Sequence, residues 1–477
     1  MSKTIGCNSP KISSITLGCK VNDIDTQAML NQFSERGYHV NDSFDVPADV
    51  YLVNTCTVTN IGDKKSRQMI RRAKQQNPEA IVIAAGCYSQ TSPEEVAQVE
   101  GVNIVLGNKD RISIVDLVEK YKMKNNDTPY IHVQDIRYET IFEELKITSM
   151  GSKTRAFVKI QEGCNEFCSY CIIPFSRGNN RSRPLSNIVK EVEELVSNGY
   201  KEIVLSGIHV ASYGKDFKNS GDNIVLADVI KAIHDIPNLF RIRLSSIEPM
   251  VATPYFLETI SKLPKVCDHF HLSLQSGSDK VLKAMNRKYT TKQFFQSVEA
   301  IRSIMPDAAI TTDIIVGFPG ESNADFLDTL DFVQKIGFAS IHIFPYSSKK
   351  GTRAALFTEQ IDPQTKSMRV KILGDIDKLG RRSFANKFVG KPLSVLFESK
   401  DEDNYDGYST NYIKVTAKSK ENLVNQVANV SITKSIEELA FGKVEDFNIK
   451  SEENSDLISK VYEYHMAMLQ NTTKSEA

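Results

Sequence analysis

The sequence predicts an α/β protein with three parts: an N-terminal parallel α/β domain at 10–125, a central partial barrel of six βα units at 150–382, and a small antiparallel β-barrel at 387–450. Three observations lead to this fold class. Strand-like and helical segments alternate through the first two parts, which is typical of parallel sheets. Short alternating strands without intervening helices follow, as in small barrels. The length, 477 residues, suits about three domains of roughly 150 residues each.

Three β-rich segments of the N-terminal domain, KISSITLGC, ADVYLVNTC and AIVIAAGC, each end in a cysteine. A helical or polar stretch follows each one, so the strands should be parallel. Because the carboxyl ends of parallel strands lie along one edge of a sheet, we expect Cys19, Cys56 and Cys87 to meet in space. The alternative is three buried small apolar residues, but strand interiors would scatter the cysteines rather than place each at a strand end.

The central part contains six strand candidates: RAFVKIQEGC, EIVLSGIHV, FRIRLSSIE, HFHLSLQSGS, AAITTDIIVGFPGE and SIHIFPYSS. Helical stretches separate them, which favours a barrel or partial barrel whose function lies at the C-terminal ends of its strands. Polar residues gather at those ends: Ser206, Ser246, Glu248, Gln275, Ser276 and Glu321. The histidines that alternate within the strands, His269, His271 and His342, are interpreted as structural. The polar stretch from YKMKNNDTPY to about Lys153 is predicted to be a linker.

The C-terminal part contains three short alternating strands, PLSVLFES, NYIKVTAKS and QVANVSITKS. Their length and spacing indicate a small barrel related to OB-folds. One further helix, DLISKVYEYHMAMLQ, is predicted after Ser451.

Composition restricts the function classes. Lysine plus arginine number 59 and aspartate plus glutamate number 59, so a uniformly basic nucleic-acid binder is excluded, although local basic patches are not. No apolar run reaches the roughly 18 residues that span a bilayer, and the first residues lack the apolar core of a signal peptide. We therefore expect a cytoplasmic protein without membrane contact. Its eight cysteines should be reduced, with clustered ones binding metal and Cys7 and Cys267 as spectators.

A second cysteine triad, Cys164, Cys168 and Cys171, forms a C-x3-C-x2-C run directly after a predicted strand. Three thiolates on one short loop can bind three irons of a [4Fe–4S] cluster and leave the fourth iron open to a small ligand. The alternative is a zinc site, but zinc prefers four ligands, usually in close pairs. A fourth ligand from His269 or His271 would be remote in sequence.

This cysteine spacing at the first strand of a six-unit series resembles the radical S-adenosylmethionine (SAM) superfamily, in which the amino and carboxylate groups of SAM bind the open iron. The resemblance implies that Cys164, Cys168 and Cys171 hold the SAM cluster. It also places an aromatic residue near the adenine and strand-end groups around the rest of the cofactor. The corresponding candidates here are Tyr170, Ser206, Gly207, Ser246, Glu248, Gln275, Ser276, Gly317 and Glu321. Taken singly, a glycine-rich strand end is more often a turn than a ligand contact.

Nearly the whole chain is similar to the radical SAM methylthiotransferases. The shared segments are TLGCKVN, VNTCTVTNIGDKKSRQ, AAGCYSQ, EGCNEFCSYCIIPFSRGNNRSRP and DGYSTNYIKV, the last resembling a TRAM domain. The resemblance implies that Cys19, Cys56 and Cys87 hold an auxiliary [4Fe–4S] cluster and that the TRAM domain binds RNA. One departure is Asn425–Gln426, where a TRAM domain is expected to have glycine.

The first two of these segments are most similar to the branch that acts on threonylcarbamoyladenosine in tRNA. The implied product is 2-methylthio-N6-threonylcarbamoyladenosine, formed at carbon 2 of the adenosine next to the anticodon, with a second SAM as methyl donor. The implied partners are the tRNA anticodon stem-loop, a reductase or ferredoxin/flavodoxin-type electron donor, and a sulfur source. The alternatives are isopentenyladenosine tRNA, a ribosomal-protein aspartate, or a non-catalytic Fe–S electron carrier with an RNA-binding tail.

Basic residues beside both cysteine groups support an RNA substrate. The candidates are Lys64, Lys65, Arg67, Arg71, Arg72 and Lys74 in one helix, and Arg177, Arg181 and Arg183 after the second triad. A charge run of this kind is also typical of a solvated helix face. Tyr412, beside Lys414, is a further candidate to contact RNA, and like Tyr405 and Tyr408 it could stack on bases or fill a small β-core.

Overall fold

The computed structural model describes residues 9–124, 128–147, 154–217 and 223–446. Cys7 and the helix predicted after Ser451 lie outside these ranges. Within them, no helix combines the length and apolar character that crossing a bilayer requires.

The N-terminal domain is a six-stranded, wholly parallel sheet with strand order β2-β1-β3-β4-β5-β6. Every residue of β3 and β4 is buried, as expected for central parallel strands with helices on both faces of the sheet. The strands are β1 (Lys11–Thr16), β2 (His39–Val40), β3 (Val50–Thr55), β4 (Ile81–Gly86), β5 (Ile104–Leu106) and β6 (Tyr130–His132). The helices are α1 (Lys20–Glu35), α2 (Asn60–Gln76), α3 (Cys87–Thr91), α4 (Pro93–Ala97) and α5 (Ile114–Lys124).

The predicted linker is a structured part of the molecule over its described residues. Tyr130–His132 forms β6, the edge strand of the N-terminal sheet. Further along, Phe142, Leu145 and Ile147 are buried, and the last two belong to the core of the central domain. The prediction of a free linker is therefore wrong there. The sequence of this stretch is mostly polar. Its strand has three residues and its buried apolar residues are few, so neither produces a periodic hydrophobic pattern.

The central domain is a partial barrel of six parallel strands, which confirms the predicted fold class. Hydrogen-bonded order is β10-β9-β7-β8 in one sheet and β11-β12-β13 in the other. Parallel bridges from Ile242 to Val266 and from Ile247 to Leu272 connect the two sheets. Only β8 is antiparallel to its neighbour. The strands are β7 (Arg155–Glu162), β8 (Arg181–Ser182), β9 (Glu202–Gly207), β10 (Arg241–Leu244), β11 (His269–His271), β12 (Ala309–Val316) and β13 (Ser340–Pro345).

Eight described helices accompany these strands. They are α6 (Ile173–Arg177), α7 (Leu185–Ser197), α8 (Leu226–His234), α9 (Pro254–Ser261), α10 (Asp279–Ala284), α11 (Thr291–Ile304), α12 (Asn323–Ile336) and α13 (Pro363–Asn386). Ser322 caps α12 by accepting a hydrogen bond from the Asp325 amide, and Gly337 ends it in the left-handed conformation. Such caps fix where each helix begins and ends relative to the strands.

α1 is shared by two hydrophobic cores. Met29, Leu30 and Phe33 pack inside the N-terminal domain. Ile24 and Ala28 pack with the strands and helices of the central domain instead. Because one helix presents buried apolar faces on two sides, the first two domains form one continuous body.

The C-terminal domain is a closed five-stranded barrel with strand order β14-β15-β16-β18-β17. All neighbours are antiparallel except β16 and β18, which pair in parallel. The strands are β14 (Pro392–Asp401), β15 (Asn404–Ser409), β16 (Lys414–Lys418), β17 (Val427–Ile436) and β18 (Leu439–Asp446). Asn425, where glycine was expected, has φ 60° and so adopts the left-handed conformation that asparagine tolerates. Its side chain donates to the Gly199 carbonyl of the central domain.

Two buried arginines of β10 hold this barrel on the central domain. Arg241 donates to the Tyr408 carbonyl at 2.9 Å, and Arg243 donates to the Thr410 carbonyl at 2.9 Å. Glu202, fully buried on β9, pairs with both guanidinium groups. Burial alone would raise the pKa of Glu202, but Arg243 and Arg241 lower it to about 2. The carboxylate thus neutralises the two cations that bind the barrel.

We predict that Glu202→Gln loosens the C-terminal barrel from the central domain. Removing one member of a buried ion cluster leaves uncompensated charge and costs about 3 kcal/mol or more. Hydrogen exchange of β14 and β15 should therefore accelerate by at least about a hundredfold. The matched control is Glu258→Gln, since Glu258 forms an exposed pair with Lys262 and should leave exchange unchanged.

The depressed pKa of Glu202 also predicts how the attachment of the C-terminal barrel changes with pH. Because the folded-state pKa of Glu202 is depressed, its stabilisation is present above its unfolded pKa near 4.3 and is lost as pH falls toward 2. Protection of β14 and β15, measured as exchange relative to unstructured peptide at the same pH, should fall over that interval more steeply in the wild type than in the Glu202→Gln protein. Equal slopes in the two proteins would contradict the assignment.

Candidate functional site

The first cysteine triad lies at the carboxyl edge of the N-terminal sheet. Cys19 is the N-cap residue of α1, Cys56 follows β3 directly, and Cys87 begins α3. β1, β3 and β4 are neighbours in the sheet, so the structure brings the three cysteines together as the sequence predicted. Burial raises the pKa of the Cys56 thiol to about 11. A bound cation is therefore required to hold this sulfur as a thiolate at neutral pH.

Two glycines lie at this edge of the sheet, at positions where any larger residue would clash with a neighbouring side chain. Gly18 has φ +101°, and a Cβ atom there would lie 2.7 Å from the Cys56 sulfur. Gly86 has φ +97°, and a Cβ atom there would lie 2.2 Å from the side-chain oxygen of Asn54. Both the conformation and the space favour glycine at these two positions.

The second cysteine triad, Cys164, Cys168 and Cys171, lies in the loop between β7 and α6. The Cys164 amide donates to the Gly178 carbonyl, and the Ser169 amide donates to the Met285 carbonyl, each at 3.0 Å. These bonds fix the loop at the carboxyl end of the first barrel strand. Burial raises the pKa of the Cys164 thiol to about 12, so this sulfur too would need a bound cation to be a thiolate at neutral pH.

An arginine from the far side of the barrel reaches this loop. Arg287 Nη1 donates to the Cys168 sulfur at 3.2 Å, and its Nη2 pairs with Glu248 Oε1 at 2.6 Å. The other Glu248 oxygen lies 3.1 Å from His209 Nε2. Burial alone would raise the pKa of Glu248, but His209 and Arg287 lower it to about 2. The loop of the second triad thus lies against a row of paired side chains: Arg287, Glu248 and His209.

The number of ligands bears on which metal group each triad could hold. Each triad offers three cysteine sulfurs, whereas a structural zinc ion takes four ligands. A [4Fe–4S] cubane takes cysteine thiolates, and three of them leave one iron open to another ligand. The donor sets therefore fit a cluster better than zinc.

Arg177 connects the two triads. It ends α6, a few residues after Cys171, and its Nε donates to the Cys87 sulfur at 3.3 Å. Its Nη1 pairs with Asp25 at 2.6 Å and with Glu162 at 2.5 Å. A single guanidinium group therefore links the loop of one triad to a cysteine of the other.

The three arginines after the second triad were predicted to contact RNA, and that prediction is wrong. Arg177, Arg181 and Arg183 are 0%, 2% and 6% exposed. Arg181 donates to the carbonyls of Arg177 and Asn179, and Arg183 pairs with Glu144 and Glu191. Sequence alone did not distinguish buried, ion-paired arginines from phosphate-binding ones.

The candidate cofactor residues divide into two groups. Tyr170, Gly207, Ser246, Glu248 and Gln275 are partly or fully accessible, and Gly317 has φ +69° in the turn after β12. The side chains of the others are buried: Ser206, Ser276 and Glu321. Ser276 is hydrogen-bonded to Thr329, and Glu321 pairs with Arg369. The side chains of Ser276 and Glu321 close strand-end turns, and the assignment of these two positions to the cofactor stays a prediction.

The predicted basic helix, α2, presents cations at the surface. Lys64, Lys65 and Arg71 are exposed, and no ion pair in the described part of the chain occupies them. The remaining cations are partly engaged: Arg67 with Glu95, Arg72 with Asp45, and Lys74 with the carbonyls of Pro78 and Ala80. The basic face of this helix consists of Lys64, Arg67, Gln68, Arg71, Arg72 and Gln75.

The tyrosines of the C-terminal barrel are packed against protein. Tyr405 is 1% exposed inside the barrel. The ring of Tyr412 stacks on Tyr408 at 5.0 Å and on His269 at 4.7 Å. The prediction that Tyr412 stacks an RNA base is wrong for this structure, because both neighbours of its ring are protein. Lys414 remains 41% exposed and pairs with Asp406.

Sequence reasoning missed several residues around the triads. Arg287 lies more than a hundred residues from the cysteine it contacts, and no local motif marks it. Asn22 and Asn108 approach the Cys87 sulfur through their side chains. Asn22 follows Cys19 by three residues in the TLGCKVN segment, which was the one available signal.

Comparisons with known proteins agree with this geometry. Residues 158–333 match the family described as Radical SAM superfamily, and residues 11–107 match the one described as Uncharacterized protein family UPF0004. The fold resembles a solved radical S-adenosylmethionine methyltransferase, TsrM from Kitasatospora setae, with TM-score 0.52 and 14% identity over 71% of this chain and 75% of that one. Fold and cysteine loop define a radical SAM enzyme, which uses SAM and a [4Fe–4S] cluster.

Curated relatives identify the family within that class. The chain is 40% identical to the threonylcarbamoyladenosine tRNA methylthiotransferase MtaB of Bacillus subtilis, over 88% of this chain and 93% of the relative. It is also 40% identical to MtaB of Aquifex aeolicus, over 81% and 92%. A tRNA-2-methylthio-N(6)-dimethylallyladenosine synthase of Thermoanaerobacter pseudethanolicus is 36% identical over 88% and 89%. The chain belongs to the radical SAM methylthiotransferase family.

Proposed function

We propose that this protein methylthiolates carbon 2 of N6-threonylcarbamoyladenosine next to the anticodon of tRNA. The observation that carries the proposal is the joining of two cysteine triads by Arg177, which sets two separate sites against one barrel. The MtaB relatives, which carry this substrate in their name, support the choice of adenosine. The reaction takes place in the cytoplasm.

The two triads divide the chemistry. Cys164, Cys168 and Cys171 would hold a [4Fe–4S] cluster, which would supply the electron for SAM cleavage. Cys19, Cys56 and Cys87 would hold a second cluster, which would supply the site of sulfur transfer. Arg287 neutralises charge at Cys168, and Arg177 does the same at Cys87. Cys56 and Cys87 are buried, which keeps water away from that part of the first triad. A reductase or ferredoxin/flavodoxin-type donor and a sulfur source complete the reaction.

The RNA is held by the basic face of α2, with the C-terminal TRAM barrel as a second contact. Asn60 in the first turn of α2 donates to the Ser348 carbonyl in the loop after β13 at 3.0 Å, and Lys349 of that loop pairs with Asp63. The basic helix is therefore attached to the rim of the barrel. RNA bound along it would place its loop over the barrel opening.

The function is tested with reconstituted enzyme, SAM, dithionite and a sulfide source, using anticodon stem-loops that carry threonylcarbamoyladenosine or isopentenyladenosine. Mass spectrometry of the nucleosides should show the methylthio product from the first RNA. The control protein is Cys19/Cys56/Cys87→Ala, which should still release 5′-deoxyadenosine yet form no methylthio product, because alanine cannot replace a thiolate ligand. Product from the isopentenyl RNA alone would overturn the substrate assignment.

A pair of glycine variants tests the auxiliary site without touching a ligand. Gly18→Ala should displace Cys56, since the new Cβ would lie 2.7 Å from its sulfur. Iron content should fall from about eight to about four per chain, the content of one cubane. Gly37→Ala is the control: its φ of +86° carries similar backbone strain, but nothing lies within 4 Å of the new Cβ. Equal iron content in the two variants would contradict the prediction that a Cβ atom at position 18 displaces Cys56.

The RNA surface predicts a salt dependence. Lys64, Lys65 and Arg71 together changed to Gln should flatten the slope of log affinity against log salt by about two to three, at roughly 0.7–0.9 for each lost phosphate contact. The charge-matched control changes Lys190, Lys231 and Lys262 on the outer helices of the barrel. Filter binding across several salt concentrations gives the slopes. If the triple α2 variant binds tRNA as tightly as the wild type, the cations of α2 are solvent-exposed residues with no role in RNA binding.

A further inference from the structure

Three side chains of metal-binding type converge on one face of the central domain's second sheet. His271 Nε2 lies 3.2 Å from one Asp313 oxygen, and His342 Nδ1 lies 3.3 Å from the other. Their three donor atoms all lie within 4.8 Å of one another. His271, Asp313 and His342 will be called the histidine–aspartate cluster. The interpretation of these histidines as structural residues does not explain why their nitrogens converge on a carboxylate.

Strand register places the cluster on the inner face of the sheet. Asp313 on β12 is directly opposite His342 on β13, and His271 on β11 is opposite Thr311, two residues before Asp313. Since alternate residues of a strand point to the same side, all three cluster residues share one face. The residues of the other face belong to the hydrophobic core beneath the outer helices: Phe270, Ile310, Ile314 and Ile341. The cluster therefore faces the interior of the partial barrel.

His271 is fixed through one ring nitrogen and leaves the other without a partner. Its Nδ1 is hydrogen-bonded to the Thr311 hydroxyl at 3.0 Å. Its Nε2 is buried and has no hydrogen-bond partner among the described residues, although an Asp313 oxygen lies 3.2 Å away. Metal-binding histidines typically have this arrangement, with the second nitrogen held by a hydrogen bond and the first turned toward the ion. A buried nitrogen without a partner is costly unless a ligand binds it.

The Asp313 carboxylate has no permanently charged partner. Among the described residues, its ion pairs are with His271 and His342 alone, and neither imidazole carries a permanent charge. By contrast, Glu248 beside the second triad pairs with the guanidinium of Arg287. A divalent cation between Asp313 and the two rings would supply the missing positive charge.

The donor set selects the kind of ion. Atoms bound to one zinc ion at about 2.0–2.2 Å lie about 3.3 Å from one another in a tetrahedron, and the two nitrogen–oxygen distances of the cluster are 3.2 and 3.3 Å. Two imidazoles and one carboxylate suit zinc or another first-row divalent ion, whereas magnesium and calcium prefer oxygen ligands. Three protein ligands leave a coordination position open. The side chain of His342 is 56% exposed and that of His271 is 9% exposed, so the ion is reached from the His342 side.

We propose that His271, Asp313 and His342 bind one first-row divalent cation and leave a coordination position open to an oxygen ligand. Thr311 is a positioning residue, because its hydroxyl holds the ring of His271. None of the three ligands is a cysteine, so this site is additional to both triads. It does not depend on which RNA the protein modifies.

Zinc binding to the reconstituted holoenzyme tests the site. Equilibrium dialysis with elemental analysis should find about one zinc per chain, the content of a single three-ligand site, and an excess of magnesium should not displace it. X-ray absorption at the zinc edge should show nitrogen and oxygen neighbours at about 2.0–2.2 Å and no sulfur at about 2.3 Å. Sulfur neighbours, or zinc gained as iron is lost, would mean that zinc occupies cysteines and would overturn the proposal.

Two ligand variants and one positioning variant separate the contributions. His342→Gln changes a mostly exposed side chain and Asp313→Asn keeps the side-chain size, so the fold should tolerate both. Each should weaken zinc binding by about a hundredfold or more, since even the loss of a residue that only orients a ligand costs about 10- to 100-fold. Thr311→Val removes only the orienting hydroxyl and should fall within that smaller range.

The matched control is His132→Gln. His132 pairs with Asp110 at 2.7 Å, but among the described residues this pair has no third donor within reach. Its loss should leave zinc binding unchanged. The metal site is overturned if the wild type binds no stoichiometric zinc, or if the His342→Gln and Asp313→Asn proteins bind zinc as tightly as the control.

Discussion

The relation between the two cysteine sites depends on one buried ion cluster. Arg177, Arg111 and Lys159 contribute three cations, and Asp25 and Glu162 contribute two fully buried anions. Burial alone would raise the pKa of Glu162, but Arg111, Lys159 and Arg177 hold it well below its usual value. Removing one member would leave a buried charge unpaired, which costs far more than the pair contributes. The cluster therefore locks α1 of the first domain onto β7 and α6 of the second.

The charge count of this cluster matches its surroundings. Three cations face two buried carboxylates, with Glu143 as a third, partly exposed acid beside Arg111. Arg177 also donates through its Nε to the Cys87 sulfur. The same guanidinium that joins the domains therefore places a positive charge against one cysteine of the first triad.

The features of the fold and the site that the sequence predicted were those that produce a local sequence pattern. Strand–helix alternation and a cysteine at each strand end gave the parallel sheet and the meeting of Cys19, Cys56 and Cys87, because sheet topology converts equal positions into proximity. The roles of Arg177 and Arg287 depended on partners far away in sequence: Asp25 is 152 residues before Arg177. The sequence does not show whether an arginine side chain binds a phosphate group or a buried carboxylate. Tyr412 was misassigned for the same reason, since its neighbour His269 belongs to another domain.

That sequence separation has a consequence for how the protein is made. Chains leave the ribosome N-terminal domain first, at about 5–20 residues per second, so the 152 residues between Asp25 and Arg177 take roughly 8 to 30 s to synthesise. Cys87 completes the first triad 90 residues before Arg177. For the last part of that interval, roughly 5 to 18 s, the nascent domain therefore contains all three cysteines and Asp25 without the guanidinium that contacts Cys87 and Asp25. This edge of the sheet reaches its final electrostatic environment only after the loop of the other triad has emerged.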